Sequence, residues 1–168
     1  MSLGIKHFSS RPLVALAFFA ALTLGSAEMR AQASPFAGLA GNWSGTGTIT
    51  LSNGSKERIR CRATYAVVPS GEGLNQNLRC ASDSYRFELG SNVVHKGGVI
   101  SGTWNEATRN VGGSVAGRAA GPQIQVQVDA PGFSAALTMV TKGDRQEVFI
   151  RSQSTELTGV DITLIKGK

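Results

Sequence analysis

The sequence predicts an all-β fold: an antiparallel up-and-down β-barrel of about 8–10 strands, preceded by a signal peptide. Three observations carry this. From Gly41 onward apolar and polar residues alternate in short runs, with no helical periodicity. Turn-forming pairs such as Asn53-Gly54, Gly97-Gly98, Gly121-Pro122 and Pro131-Gly132 divide the runs. The two cysteines, Cys61 and Cys80, stand symmetrically about Pro69-Ser70-Gly71-Glu72. Tight connections favour antiparallel neighbours, and closing the sheet on itself removes its free edges. A two-sheet β-sandwich built from the same strands is the alternative.

Lys6, His7 and Arg11 give the chain a basic start. Leu13 to Leu24 is apolar throughout except for Thr23, and Ala31-Gln32-Ala33 then offers small residues where a signal peptidase reads. The apolar stretch falls short of the ~20 residues of a membrane-spanning helix. Residues 1–33 are therefore expected to be a cleaved signal peptide, with cleavage after Ala27 as the alternative to Ala33. No cysteine lies near either position, so no lipid attachment is expected there. Residues 34–40 read as a linker and 41–168 as one barrel domain. Export places the protein in the periplasm or the medium. The full chain carries a net charge of +6. Removing Lys6, Arg11, Arg30 and Glu28 with the leader leaves the remainder mildly basic, a charge that permits contact with anionic surfaces without requiring it. No nucleic-acid recognition motif is present.

The strands follow in order. Trp43, Gly45, Gly47, Ile49 and Leu51 alternate with Ser44, Thr46, Thr48 and Thr50, and Asn53-Gly54 turns the chain. Ile59, Cys61, Ala63, Tyr65 and Val67 then alternate with Arg58, Arg60, Arg62 and Thr64. Leu74, Gln76, Leu78 and Cys80 follow the Pro69 turn, and Tyr85, Phe87 and Leu89 continue the pattern. Later strands are expected over 99–105, 111–118, 123–129, 133–141, 145–152 and 159–166.

Pro69 fixes the register of the cysteine hairpin. A two-residue loop, Ser70-Gly71, would place Pro69 in a hydrogen-bonded pair, which it cannot complete without an N–H. A four-residue loop makes Val68 and Gly73 the last bonded pair. Counting inward sets Cys61 opposite Cys80, Ala63 opposite Leu78, Tyr65 opposite Gln76 and Val67 opposite Leu74. The cysteines then fall at a non-hydrogen-bonded site with a Cα separation of about 4.5 Å, within disulfide range. Export supplies the oxidising setting, so a Cys61–Cys80 bridge is expected.

The same register turns Arg58, Arg60, Arg62 and Arg79 outward onto one patch. Such a patch suits bidentate contacts to carboxylates or phosphates; it also suits a plain solvated face. Inward positions fall to Trp43, Tyr65, Tyr85, Phe87, Trp104 and Phe133, with Gln76 as the polar exception. A small barrel interior is either filled by such side chains or holds one small ligand. Trp43, Tyr65, Gln76, Tyr85 and Trp104 are the candidate ligand-binding residues, with Gln76 expected to bond to a backbone group or to the Tyr65 hydroxyl.

Catalytic chemistry finds few parts. After removal of the leader His95 is the one histidine, beside Lys96 at an expected turn, and no nucleophile elbow accompanies Asp83 and Ser84. One histidine and two bridged cysteines do not make a zinc site, so no metal or cofactor is expected. Gly41, Gly45 and Gly47 lie within a strand with no helix after them, which argues against a phosphate loop.

The opening Leu39-Ala40-Gly41-Asn42-Trp43-Ser44-Gly45 resembles the Gly-x-Trp first strand of lipocalin-like and avidin-like barrels, which implies a barrel but no ligand class. Ile59-Arg60-Cys61-Arg62-Ala63-Thr64-Tyr65, with Leu78-Arg79-Cys80-Ala81-Ser82-Asp83-Ser84-Tyr85, resembles short exported proteins of alphaproteobacteria; that likeness implies origin and export and no mechanism. The expected function is that of a monomeric exported barrel binding a small apolar molecule in its interior. The alternative is a cell-envelope module gripping anionic polysaccharide or lipid through the arginine face.

Overall fold

The computed structural model describes residues 34–153 and 156–168. The expected signal peptide lies outside the described residues. Ten strands form one closed antiparallel barrel: β1 Gly41–Leu51, β2 Lys56–Val67, β3 Gly73–Ala81, β4 Arg86–Lys96, β5 Val99–Glu106, β6 Val111–Ala120, β7 Gln123–Ala130, β8 Phe133–Lys142, β9 Arg145–Ser152 and β10 Leu157–Lys166. Each strand pairs with its sequence neighbours, and β1 closes the ring on β10 with Gly47 opposite Ile162. The sandwich alternative is thereby excluded.

Alternation decides what points inward. Along β2 the residues Ile59, Cys61, Ala63 and Tyr65 are buried while Arg58, Arg60, Arg62 and Thr64 are exposed. The β2–β3 hairpin has the four-residue loop that Pro69 demands: the Val68 N–H donates to Gly73 O at 2.9 Å. Cys61 pairs with Cys80, Tyr65 with Gln76 and Val67 with Leu74. The disulfide forms between Cys61 and Cys80, whose Cα atoms are 4.1 Å apart.

Closure of a ten-stranded ring requires sharp coiling, and two inward-facing glycines mark where. A Cβ at Gly45 would stand 1.9 Å from Thr163 O, and one at Gly113 would stand 1.7 Å from Asp129 O. Any side chain there would force the adjoining strand away. Barrel diameter grows with strand number, and eight strands already give an interior that side chains just fill. Ten strands therefore leave space unless something plugs it.

One end is plugged. Residues 34–40, expected as a linker, instead form a turn that crosses the end carrying the β2–β3 and β4–β5 connections. Phe36 and Leu39 are fully buried within the core. The physical reason is that these two apolar side chains have barrel interior within reach, and burying each contributes about 1.5–3 kcal/mol. The plug is also hydrogen-bonded. Trp43 Nε1 donates to Leu39 O at 2.8 Å, Lys166 Nζ donates to Gly38 O at 2.7 Å, and the Ser34 hydroxyl donates to Gly71 O.

Candidate ligand cavity

Beside the plug the interior holds a buried polar chain. The buried Tyr65 hydroxyl donates to Gln146 Oε1 at 2.6 Å, and Gln146 Nε2 donates to Thr141 Oγ1 at 3.1 Å. Burial pushes the Tyr65 phenol well above its ordinary value, against the opposing hydrogen bond to Gln146, so it remains a neutral donor. Trp43 packs edge-on against Tyr65, with ring centroids 6.2 Å apart, and Lys166 Nζ lies 5.7 Å from the Trp43 ring centre. His95 belongs to this end as well. Its Nε2 accepts the Gly98 N–H at 3.0 Å, and its ring meets Phe36 edge-on.

Next to this closed end lies space. An inner chamber of about 160 Å³ is lined by residues including Tyr65, Leu74, Gln76, Val126 and Met139. An outer chamber of about 330 Å³ is lined by residues including Tyr85, Phe87, Glu106, Arg109 and Leu157. Leu78, Leu89, Trp104, Phe133, Ile150 and Ile162 line both, so the chambers meet along shared walls. Aromatic pairs frame the outer part. Tyr85 and Phe87 are parallel with centroids 6.1 Å apart, and Trp104 leans on Phe133 at 5.4 Å.

The sequence-derived candidates divide. Tyr65, Gln76 and Trp104 face the inner chamber, and Tyr85 and Trp104 the outer one. Trp43 faces neither; it is packed into the closed end. Gln76 does not meet the Tyr65 hydroxyl, which Gln146 takes. Instead Gln76 Oε1 accepts the Ser91 hydroxyl at 3.1 Å, a polar pair on an otherwise apolar wall.

Three site residues were not anticipated: Gln146, Glu106 and Arg109. Gln146 shares the inward parity of Val148 and Ile150 on β9, and Glu106 that of Ile100 and Trp104 on β5. Both were therefore legible as inward polar residues. Glu106 organises the mouth. Its Oε1 accepts the Glu88 N–H at 3.0 Å, the Thr108 N–H at 3.2 Å and the Thr108 hydroxyl at 2.6 Å; its Oε2 accepts the Arg109 N–H at 2.8 Å. Burial pushes this carboxyl up, but the bonds from Glu88, Thr108 and Arg109 outweigh burial and hold it below the ordinary glutamate value. Arg109 lies in the β5–β6 turn, which gives no periodic signal. Its guanidinium stands 5.0 Å from the centre of the Phe87 ring.

Outside the barrel, Arg60, Arg62, Arg79 and Arg86 border a shallow groove over β1 to β4. Arg58 projects outward one step further along β2. Arg62 lies opposite Arg79, and Glu88 takes two hydrogen bonds from Arg79 at 2.6 and 2.9 Å. Among the described residues, Arg79 alone of these five arginines has an ion pair.

No family model and no curated protein matches the sequence. Solved structures do match in fold. The crystal structure of Rv2717c from M. tuberculosis superimposes with a TM-score of 0.64 at 12% identity, covering 80% of this chain and 98% of that one. The S-type phycobiliprotein lyase CPES from Guillardia theta superimposes with a TM-score of 0.55 at 12% identity, covering 79% of this chain and 90% of that one. The chain thus shares a β-barrel fold with both.

Proposed function

We propose that the protein is an exported carrier or sensor that holds a small, largely apolar molecule inside the barrel. The observation that carries this is the pair of adjoining apolar chambers beside Leu89 and Trp104, in a barrel plugged at one end by residues 34–40. Aromatic and aliphatic walls with a few placed polar groups are the usual make-up of a small-molecule site. The fold shared with a phycobiliprotein lyase is in keeping with the reading. The Cys61–Cys80 bridge suits an oxidising compartment, hence the periplasm or medium. A single copy suffices for the site, so a monomer is proposed.

Native mass spectrometry of the protein purified from an oxidising compartment, with decanol added, tests this. Bound decanol or a co-purified apolar mass is the expected result, and Leu89→Trp, which fills the junction of the chambers, is expected to remove it while the far-ultraviolet circular dichroism stays unchanged. A bare mass throughout, or binding indifferent to Leu89→Trp, contradicts the proposal.

A second reading rests on the arginine groove, where Arg60, Arg62 and Arg86 lack an ion pair among the described residues. It would grip anionic polysaccharide or lipid of the cell envelope by bidentate contacts. Salt-sensitive sedimentation with anionic vesicles, lost in the Arg60→Ser, Arg62→Ser double variant, is its expected signature. Unchanged sedimentation sinks it.

A further inference from the structure

The outer chamber is apolar nearly all round, yet it holds one guanidinium. Arg109 lines it, its side chain 49% exposed and its charge set over the Phe87 ring. A cation over an aromatic face is attracted by the ring and kept in place without spending its hydrogen-bond donors. Among the described residues, the contacts those donors make are long. Arg109 Nη1 is 3.5 Å from Glu106 Oε2, 3.4 Å from Thr108 Oγ1 and 3.5 Å from Arg86 O. Charge-assisted bonds of full strength run to about 2.7–2.9 Å. The Arg79–Glu88 pair on the outer wall, at 2.6 Å, shows what a closed arginine–carboxylate contact looks like in this protein.

The neighbouring carboxylate explains the slack. Glu106 is committed to the Glu88, Thr108 and Arg109 N–H groups and the Thr108 hydroxyl, and only 4% of it is exposed. It holds the turn that presents Arg109, with both carboxylate oxygens already accepting hydrogen bonds. Glu156 also borders the chamber, but it is exposed and its backbone carbonyl accepts the Ser52 N–H. The fork geometry of a guanidinium matches a carboxylate held side-on.

We infer that the occupant of this cavity is an amphiphile with a carboxylate head, the head held by Arg109 at the mouth and the apolar body lying against Trp104, Leu89 and Phe133. This rests on the cavity reading above and adds the chemical class of the ligand. Three probes of one chain length separate the two claims: decanoate, decanol and decyltrimethylammonium, titrated calorimetrically below their aggregation limits.

The wild-type protein is expected to bind decanoate about tenfold or more tightly than decanol, the gain of one charged hydrogen-bonded contact. Arg109→Gln is expected to erase that preference and leave decanol binding in place, and Arg109→Lys to retain part of it. Glu156→Gln is expected to leave decanoate binding as tight or tighter. Equal binding of decanoate and decanol, a preference for the ammonium probe, or a preference that survives Arg109→Gln overturns the carboxylate assignment alone. Failure of all three probes to bind overturns the cavity reading together with it.

Discussion

At the closed end of the barrel, Tyr65, Gln146 and Thr141 satisfy one another in the same core as the buried side chains of Phe36 and Leu39. At the mouth, Glu106 is fully bonded, but the Arg109 guanidinium beside it makes only long polar contacts among the described residues and faces an aromatic-lined chamber. The two ends use the same sheet and the same alternation. They differ in what borders them among the described residues: residues 34–40 fill one, and the β3–β4 and β5–β6 turns lend Tyr85 and Arg109 to the chamber at the other. Unsatisfied buried groups are costly, so the mutual bonding at the closed end adds stability, whereas a half-exposed cation is tolerated at the mouth without a close partner.

This contrast predicts unequal costs of substitution. The largest is expected at the plug. Phe36→Ala removes a fully buried aromatic ring and is expected to cost about 3–5 kcal/mol in denaturant unfolding. Tyr85→Ala at the half-buried mouth is expected to cost clearly less; the reverse order would break the comparison. Next comes the disulfide midway along the wall. The Cys61→Ser, Cys80→Ser double variant is expected to lose about 3 kcal/mol, since the bridge spans 19 residues of sequence separation.

Tyr65→Phe strands Gln146 Oε1 in the interior and is expected to cost about 1–3 kcal/mol. It also carries a pH signature. The folded-state value of Tyr65 is raised, so its contribution is complete below the ordinary tyrosine value and is lost as pH rises above that value. The wild type is therefore expected to lose its advantage over Tyr65→Phe in strongly alkaline solution, read from unfolding curves. The smallest effect is at the mouth and lies on the acid side. Glu106 has a lowered folded-state value, so its contribution is complete above the ordinary glutamate value and fades as pH falls through the folded value. Glu106→Gln is expected to be less stable than wild type at neutral pH and to approach it in acid; a constant gap would contradict the role assigned to the carboxylate.

Much of this architecture could be read from residues. Pro69 dictated the loop of the β2–β3 hairpin, and the loop dictated the Cys61–Cys80 pairing and the outward arginines. Alternation placed Tyr65, Gln76 and Trp104 on the inner wall. Strand β4 ran further than its early aromatic pattern indicated, because His95, Val93 and Ser91 also follow the inward parity with less apolar weight. What escaped was set by tertiary reach. Nothing local says that Phe36 and Leu39 fold back under the barrel, so 34–40 read as a linker and Trp43 as a ligand contact rather than part of the seal. Arg109 escaped because a turn residue has no periodicity to betray its direction.

The two tryptophans of the chain offer the most direct test, because one stands at each end of the contrast. Trp43 is buried beside the plug and Trp104 is shared by both chambers. With Trp43→Phe leaving Trp104 as the sole reporter, titration with decanoate is expected to change the fluorescence saturably. With Trp104→Phe leaving Trp43, the same titration is expected to leave it flat. A saturable response from Trp43 with none from Trp104, or silence from both, would contradict a ligand site at the mouth side of a barrel plugged at its other end by residues 34–40.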